Sequence, residues 1–164
     1  WGAPPKDVQT TLLATKSRAH GAGDLPEFRH ADLAAKGAAS IWKTYYNGSV
    51  GGQAIMGIPV VRRLKDARGA AARVWPFETG FKPLAEADLE GVDVVLAEVY
   101  PSLVKGAALP GEVKDLTQVR ATAEHFARLD EANKLGALFG PPKGTAADVV
   151  LDAEREEGWI LGAG

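Results

Sequence analysis

The run VDVVLAEVY, from Val92 to Tyr100, most constrains what this chain can fold into. Its apolar residues are nearly continuous rather than alternating, which is typical of a strand covered on both faces, as in a parallel sheet. Glu98 interrupts this run, and burying an unpaired carboxylate is costly. The segment therefore predicts a parallel strand whose glutamate is either paired for structure or used for its charge.

A second strand is predicted over AARVWPFE, ending by Pro76, and helices are predicted on either side of the two strands. These helices cover Pro26 to Gly37, the stretch after the glycine-rich turn up to Gly69 with a bend at Pro59, and Asp115 to Phe139. Helices between apolar strands indicate a helix-rich α/β layer fold with few, mainly parallel strands. Because two strands do not make a stable sheet alone, we expect part of the fold to lie outside this chain or to come from a neighbouring molecule.

The composition narrows the function classes. The length of 164 residues and the 46% apolar content fit a single domain over residues 1–164. A net charge of −2 gives no broad basic surface for duplex nucleic acid, and the lack of cysteine excludes disulfides and thiolate metal sites. No apolar run reaches the length of a membrane span, so a cytoplasmic protein is expected.

Three acidic residues are expected to gather near the strand ends. On a helical wheel, Asp130 falls within the apolar face of the long helix, which we expect to pack on the sheet. That apolar face comprises Leu116, Val119, Ala123, Phe126 and Ala127. Glu98 lies in the preceding strand and Glu78 directly follows the other strand, where ligand sites form in open α/β sheets.

Carboxylates in such a place are ligands for Mg²⁺ or Mn²⁺, and paired metals of this kind cleave phosphodiesters. The sequence thus predicts Glu98 and Asp130 as metal ligands and catalytic residues, with Glu78 as a third catalytic residue. The alternative is that the acids form structural ion pairs. The partners available for these pairs are Arg73 or Arg128 for Glu98, and Lys134 or Arg120 for Asp130.

Four segments carry a family resemblance: GSVGGQAIMGIPVVRRL, VWPFET, LAEVYPSL and EEGWILG. They resemble an uncharacterised bacterial family of RNase-H-like predicted nucleases, some members of which are labelled cobalamin or molybdopterin cofactor biosynthesis proteins. The resemblance implies an RNase-H-like fold in which Glu98 and Asp130 match acidic positions. Family members begin with an Asp-bearing strand, whereas this chain begins at Trp1 without one. We therefore expect it to be the C-terminal part of a longer protein.

Other residues are candidates for ligand binding. Gly52 and Gln53 open the helix after the glycine-rich turn, where backbone N–H groups bind phosphate, although a turn needed only for close packing explains the glycines as well. Arg29 belongs to a candidate basic rim for a phosphate-bearing ligand. An aromatic group suits either base stacking or packing. This group consists of Trp42, Tyr45 and Tyr46.

Two hypotheses for function follow. The first is a divalent-metal-dependent phosphodiester hydrolase acting on a nucleic acid or nucleotide. The second is a non-catalytic module that binds a nucleotide-like or cofactor-like ligand, or a protein. The hydrolase requires acids that face each other, whereas the binding module requires acids neutralised by arginines. A homodimer through an open sheet edge or an apolar patch is expected in either case.

Overall fold

A computed structural model describes residues 2–7, 9–10, 12–16, 19, 21–46 and 48–164. The α-helices in this part of the chain are α1 (His30–Ala34), α2 (Gly51–Arg68), α3 (Lys114–Glu131) and α4 (Ala147–Asp152), and the strands are β1 (Ala72–Val74) and β2 (Val94–Leu96). Short 3₁₀ turns join them, and a π-turn, Ala153–Glu157, extends α4. The described chain is helix-rich with one small sheet, so the predicted α/β class is confirmed.

The sheet consists of β1 and β2, which are parallel as predicted and pair residue for residue from Ala72 opposite Val94. Both strands are shorter than the sequence suggests. Trp75 donates its N–H to Leu96 across the pair at 3.0 Å. Because alternate residues of a strand present their polar groups to opposite edges, Ala72 and Val74 direct theirs away from β2.

Local groups cap the outward edge of β1. Val74 donates its N–H to Glu78 Oε2 at 2.7 Å and accepts the N–H of Glu78 at 2.8 Å. Ala72 donates to the carbonyl of Gly69 and accepts from the Lys65 ammonium group, which also lies 3.0 Å from Glu78 Oε1. We call Lys65 and Glu78 the edge clip. It satisfies this edge with charged side chains, so the open sheet edge that we expected is not found on β1.

The opposite edge of the sheet is different. Val95 of β2 directs its backbone groups away from β1, and no partner for them occurs among the residues described. Its side chain packs at the margin of the hydrophobic core. The two edges of this small sheet are therefore unequal.

Four aromatic rings form the middle of the hydrophobic core, which lies beyond the carboxyl end of the sheet. The ring of Trp75 lies 5.6 Å from those of Phe81 and Phe139, and Phe81 lies 5.1 Å from Trp159. Trp75 Nε1 donates to the Phe139 carbonyl at 2.9 Å, which satisfies the buried indole. The last large apolar residues of the chain, Trp159–Leu161, are buried in this cluster together with Ala163. The closing segment is thus an integral part of the core.

Helix α3 ends at Glu131 rather than at Phe139 as predicted. Asn133 adopts a left-handed φ of 55°, its N–H bonds the Asp130 carbonyl at 2.8 Å, and the N–H of Lys134 bonds the Leu129 carbonyl at 2.8 Å. These bonds make a Schellman cap, which stops a helix. A separate 3₁₀ turn, Leu135–Phe139, follows.

The predicted inward face of α3 is wrong except at Phe126, which packs against the core. Leu116 and Val119 are exposed, whereas the buried residues of the helix are Thr117, Ala121 and Thr122. A Cβ on Gly106 would lie 2.4 Å from that of Ala121, so the neighbouring loop approaches this small-residue face closely. Small side chains thus decide which face of α3 is covered.

The two helices predicted before the sheet differ in how closely the structure follows them. The helix expected from Pro26 to Gly37 is reduced to α1. Helix α2 runs through Pro59 and ends at Arg68, within one residue of the predicted end, but it begins at Gly51, inside the predicted turn. In the described part of the chain, no helix combines the length and the apolar character needed to cross a membrane.

Candidate functional site

Glu98 lies just beyond the carboxyl end of β2. Its backbone forms a parallel bridge with Ile160, and its carbonyl accepts the N–H of Leu161 at 2.9 Å. The backbone of Glu98 is therefore fixed by the closing segment, while its side chain, 46% exposed, points away from the apolar core. Glu98 was predicted within the strand, but β2 ends at Leu96, so Glu98 lies at the carboxyl end of a parallel strand, where ligand sites form in α/β sheets.

Arg29 neutralises Glu98. The guanidinium binds the carboxylate through two bonds, Nη1 to Oε2 at 2.8 Å and Nη2 to Oε1 at 2.9 Å. It also binds Asp32, a carboxylate with only 4% of its side chain exposed, through Nη2 to Oδ1 at 2.8 Å and Nε to Oδ2 at 3.2 Å. A fifth bond joins Nη1 to the carbonyl of Glu157 at 3.1 Å.

These five bonds use all five N–H groups of the Arg29 guanidinium. Hydrogen bonding to Glu98 raises the pKa of Arg29 despite the opposing effect of burial, with Asp32 adding to the rise. The cluster of one cation and two carboxylates keeps a net charge of −1. Arg29, predicted as a ligand-binding residue, is here saturated by protein acceptors.

Glu157 joins the same cluster from the end of the π-turn. Its Oε2 accepts the N–H of His30 at 2.8 Å, at the first residue of α1. Asp32 accepts the N–H of Arg29 at 3.0 Å, so the start of α1 is held by two carboxylates. His30 Nε2 also lies 3.4 Å from Asp152 Oδ2. The cluster ties α1, the end of β2 and the closing segment into one unit.

Glu78, the third predicted catalytic acid, is half of the edge clip. Burial disfavours its charge, but hydrogen bonds from the Val74 N–H and from Lys65 outweigh that effect and lower the pKa of its carboxyl group. Both oxygens are engaged, one with Val74 and one with Lys65. The structure therefore gives Glu78 a structural role at the sheet edge.

Asp130 lies in the last turn of α3 and is exposed. Its carboxylate has no hydrogen bond or ion pair with any residue that the structure describes. The prediction that Asp130 lies on a helix face packed against the sheet is wrong, because the face of α3 that carries Leu116 and Val119 is exposed to solvent. An acid at a helix C-terminus is also unfavourable to the helix dipole.

The predicted phosphate-binding residues Gly52 and Gln53 lie in the first turn of α2, and Gln53 is exposed. Gly51 is buried, and a Cβ there would lie 2.0 Å from the carbonyl oxygen of Ile41. At Gly52 the nearest atom to such a Cβ is the Thr44 carbonyl, at 3.2 Å. Close packing of the helix against the preceding loop accounts for these glycines.

Metal ligation was the main expectation for the acids. Leaving aside residues 1, 8, 11, 17, 18, 20 and 47, which lie outside the described chain, no three acidic or histidine side chains are grouped so that they would hold a metal ion. Both carboxylate oxygens of Glu98 accept hydrogen bonds from Arg29. The donor set therefore fits a divalent cation poorly.

Helix α2 presents an unusual surface. Only Gly51 of its 18 residues is buried, and six large apolar residues are between 39% and 75% exposed. These residues are Ile55, Met56, Ile58, Val60, Val61 and Leu64. A helix that is apolar on several sides is normally covered by protein. The pattern of this segment predicts a helix, but it gives no sign that the apolar residues are exposed.

Sequence reasoning also missed the partner of Glu98. It named Arg73 and Arg128, yet Arg73 reaches the Glu78 carbonyl at 3.2 Å and Arg128 lies 3.7 Å from Glu124. The actual partner, Arg29, is 69 residues away in sequence. The sequence offered one indication: Asp32 stands three residues after Arg29, a spacing at which a carboxylate can bond the backbone N–H that precedes a helix.

Comparison of this chain with protein-family models, with curated proteins and with solved structures finds no match.

Proposed function

We propose that this chain is a non-catalytic binding module that acts through the exposed surface of α2. The observation that carries the proposal is an 18-residue helix with six exposed large apolar residues and one buried glycine. Exposed apolar surface of this extent is typical of an interaction site.

The acidic residues support the same conclusion. A binding module was expected to show neutralised acids, and Glu98 is paired with Arg29 while Glu78 is paired with Lys65. Charges held in this way contribute to structure and are not free to activate water.

The composition of α2 adds a second argument. Its interior contains Gly57 and Pro59, and an interior glycine or proline weakens a helix by about 1 and about 3 kcal/mol respectively. Helices in proteins gain most of their stability from packing of an apolar face. A sequence with such weak intrinsic preference is expected to be helical because something covers it.

A second copy of α2 is the occupant that fits best. Met56, Val60 and Leu64 are four residues apart and form one row, the kind of ridge that packs into the groove of another helix. All the charges of α2 follow Val61, beginning at Arg62. In an antiparallel two-fold pair, the basic end of each helix lies beside the uncharged half of the other, so like charges are kept apart.

Sedimentation velocity over about a hundredfold range of protomer concentration tests the proposal. We expect a concentration-dependent dimer for the wild type and a monomer for the double variant Met56→Gln, Leu64→Gln. Glutamine is a good helix former, so the helix itself is retained. The matched control is Leu116→Gln, Val119→Gln, which removes two exposed apolar residues from α3 and should still dimerise.

A wild-type protein that stays monomeric throughout would remove the second copy as the occupant of α2. Loss of the dimer in the α3 control alone would assign the interface to the other helix. Circular dichroism of each variant shows that helix content is unchanged.

A second candidate function is the divalent-metal-dependent phosphodiester hydrolase with an RNase-H-like fold. Two observations favour it: Glu98 is half-exposed at the carboxyl end of a parallel strand, and Asp130 is an exposed carboxylate without a partner among the described residues. Titration calorimetry with MgCl₂ and MnCl₂, together with hydrolysis of bis(p-nitrophenyl) phosphate, tests it. Binding and turnover that disappear in Glu98→Gln and Asp130→Asn would support it, and the absence of both from the wild type would discard it.

A further inference from the structure

Tyr46 has a backbone conformation that an aromatic residue rarely adopts. Its φ is 78°, in the left-handed region that glycine and asparagine enter easily. Among the described residues, the other non-glycine residue with positive φ is Asn133, which caps a helix. A tyrosine in this position strains the backbone, and strain of this kind concentrates at functional sites.

The loop around Tyr46 holds this conformation firmly. The Tyr46 carbonyl accepts the N–H of Ser49 at 3.1 Å and its hydroxyl at 2.7 Å. On the other side, the Lys43 carbonyl accepts the N–H of Gly51 at 3.1 Å, and Thr44 Oγ1 donates to the Gly2 carbonyl at 3.2 Å. The loop is anchored at both ends, so the outward direction of the ring is imposed by its surroundings.

The ring of Tyr46 is exposed and stands beside a second exposed ring. The centroids of Tyr45 and Tyr46 are 4.7 Å apart, with the planes inclined at 64°. Together with Pro5, Thr44 and Ser49 they line an open cavity of about 520 Å³. The strained residue thus supplies a wall of a cavity and adds nothing to the buried core.

We propose that the Tyr45–Tyr46 cavity binds a nucleobase. Two rings inclined at 64° offer a face and an edge to a planar ring, and stacking on such rings tolerates any base. The other lining groups that the structure describes are a proline ring and hydroxyl-bearing side chains, so this described lining carries no fixed charge. That chemistry suits an uncharged planar heterocycle better than a phosphate or a carboxylate.

The nucleobase can come from a free nucleoside or from a single strand, and two probes separate these sources. The probes are adenosine and a short oligodeoxyadenylate, with binding measured by saturation-transfer NMR and titration calorimetry. The key variant is Tyr46→Gly, which removes both the ring and the strain. We expect it to weaken binding by at least about tenfold and to leave the Tm equal to or above that of the wild type.

Two controls complete the experiment. Tyr46→Phe keeps the ring and should bind within about twofold of the wild type. Phe77→Leu removes an exposed aromatic ring elsewhere and should not change binding. Tyr46-dependent binding of either probe supports the proposal, and its restriction to the oligonucleotide identifies a single strand as the source. No binding of either probe, binding unchanged in Tyr46→Gly, or a Tm well below the wild type in that variant would overturn it.

Discussion

Removing the guanidinium of Arg29 is the sharpest test of the cluster around Glu98. Arg29→Met keeps the apolar stem and deletes five hydrogen bonds, two of them to Asp32, whose side chain is 4% exposed. Leaving one partner of a buried ion pair alone costs about 3–5 kcal/mol. Glu98 is half-exposed, so losing its pair adds only about 0–1 kcal/mol. We expect the total loss to be about 3–6 kcal/mol, a large part of a typical domain's stability.

Urea denaturation followed by circular dichroism measures this loss as a shift of the midpoint at constant slope. Arg128→Met is the matched control, because Arg128 pairs with Glu124 on the exposed surface of α3. We expect its effect to be within about 0.5 kcal/mol. The double variant Arg29→Met, Asp32→Asn should recover part of the loss, because no buried charge is then left alone.

Two results would refute this reasoning. A loss below about 1 kcal/mol in Arg29→Met would mean that Asp32 is hydrated after the change and that the cluster is not a structural unit. A double variant as unstable as the single one would mean that the loss comes from packing of the arginine stem rather than from the stranded carboxylate.

Three further predictions concern other elements. Gly51→Ala should destabilise the protein by about 1–3 kcal/mol in urea denaturation, because the added Cβ would lie 2.0 Å from a carbonyl oxygen. Gly57→Ala has open space around it and should stabilise the protein by about 0.5–1 kcal/mol. Equal effects of the two changes would contradict the packing argument. Hydrogen bonds from Arg120, followed by a backbone N–H, lower the pKa of Glu112 from 4.5 to about 2. Its contribution to stability is therefore present above pH 4.5 and lost as the pH falls towards 2. Glu112→Gln should reduce the change in the free energy of unfolding between these two pH values, and an unchanged pH dependence would argue against the prediction. Glu78→Ala exposes an unpaired N–H on the edge of β1 and should increase light scattering on heating; scattering like that of the wild type would show that the edge needs no cap.

The sequence predicted the elements whose signals are local. The bounds of α2 were predicted closely because its turn residues and Gly69 lie next to it in the chain, and Pro59 did not break it. The parallel pairing of β1 and β2 followed from the continuous apolar run of the second strand. The end of α3 was also a local signal, but Asn133 was not recognised as a helix stop within an otherwise helical pattern.

The site depended on contacts that no local pattern encodes. Glu98 was correctly singled out as a charge needing a partner, but its arginine lies 69 residues away and is positioned by α1. Asp130 was placed inward because a helical wheel ranks faces by apolar character. The structure covers the face of Thr117 and Ala121 instead, where small side chains permit close approach.

The unequal edges of the small sheet limit how these molecules can aggregate. A fibre built by sheet extension needs a donor edge and a different acceptor edge on every molecule, so that each added copy leaves a new end. The Lys65–Glu78 clip terminates one end, as a capping group ends a polymer. Strand addition is then confined to the side of Val95, where two copies meet through identical edges and leave nothing for a third. We therefore expect growth along the sheet to stop at two molecules.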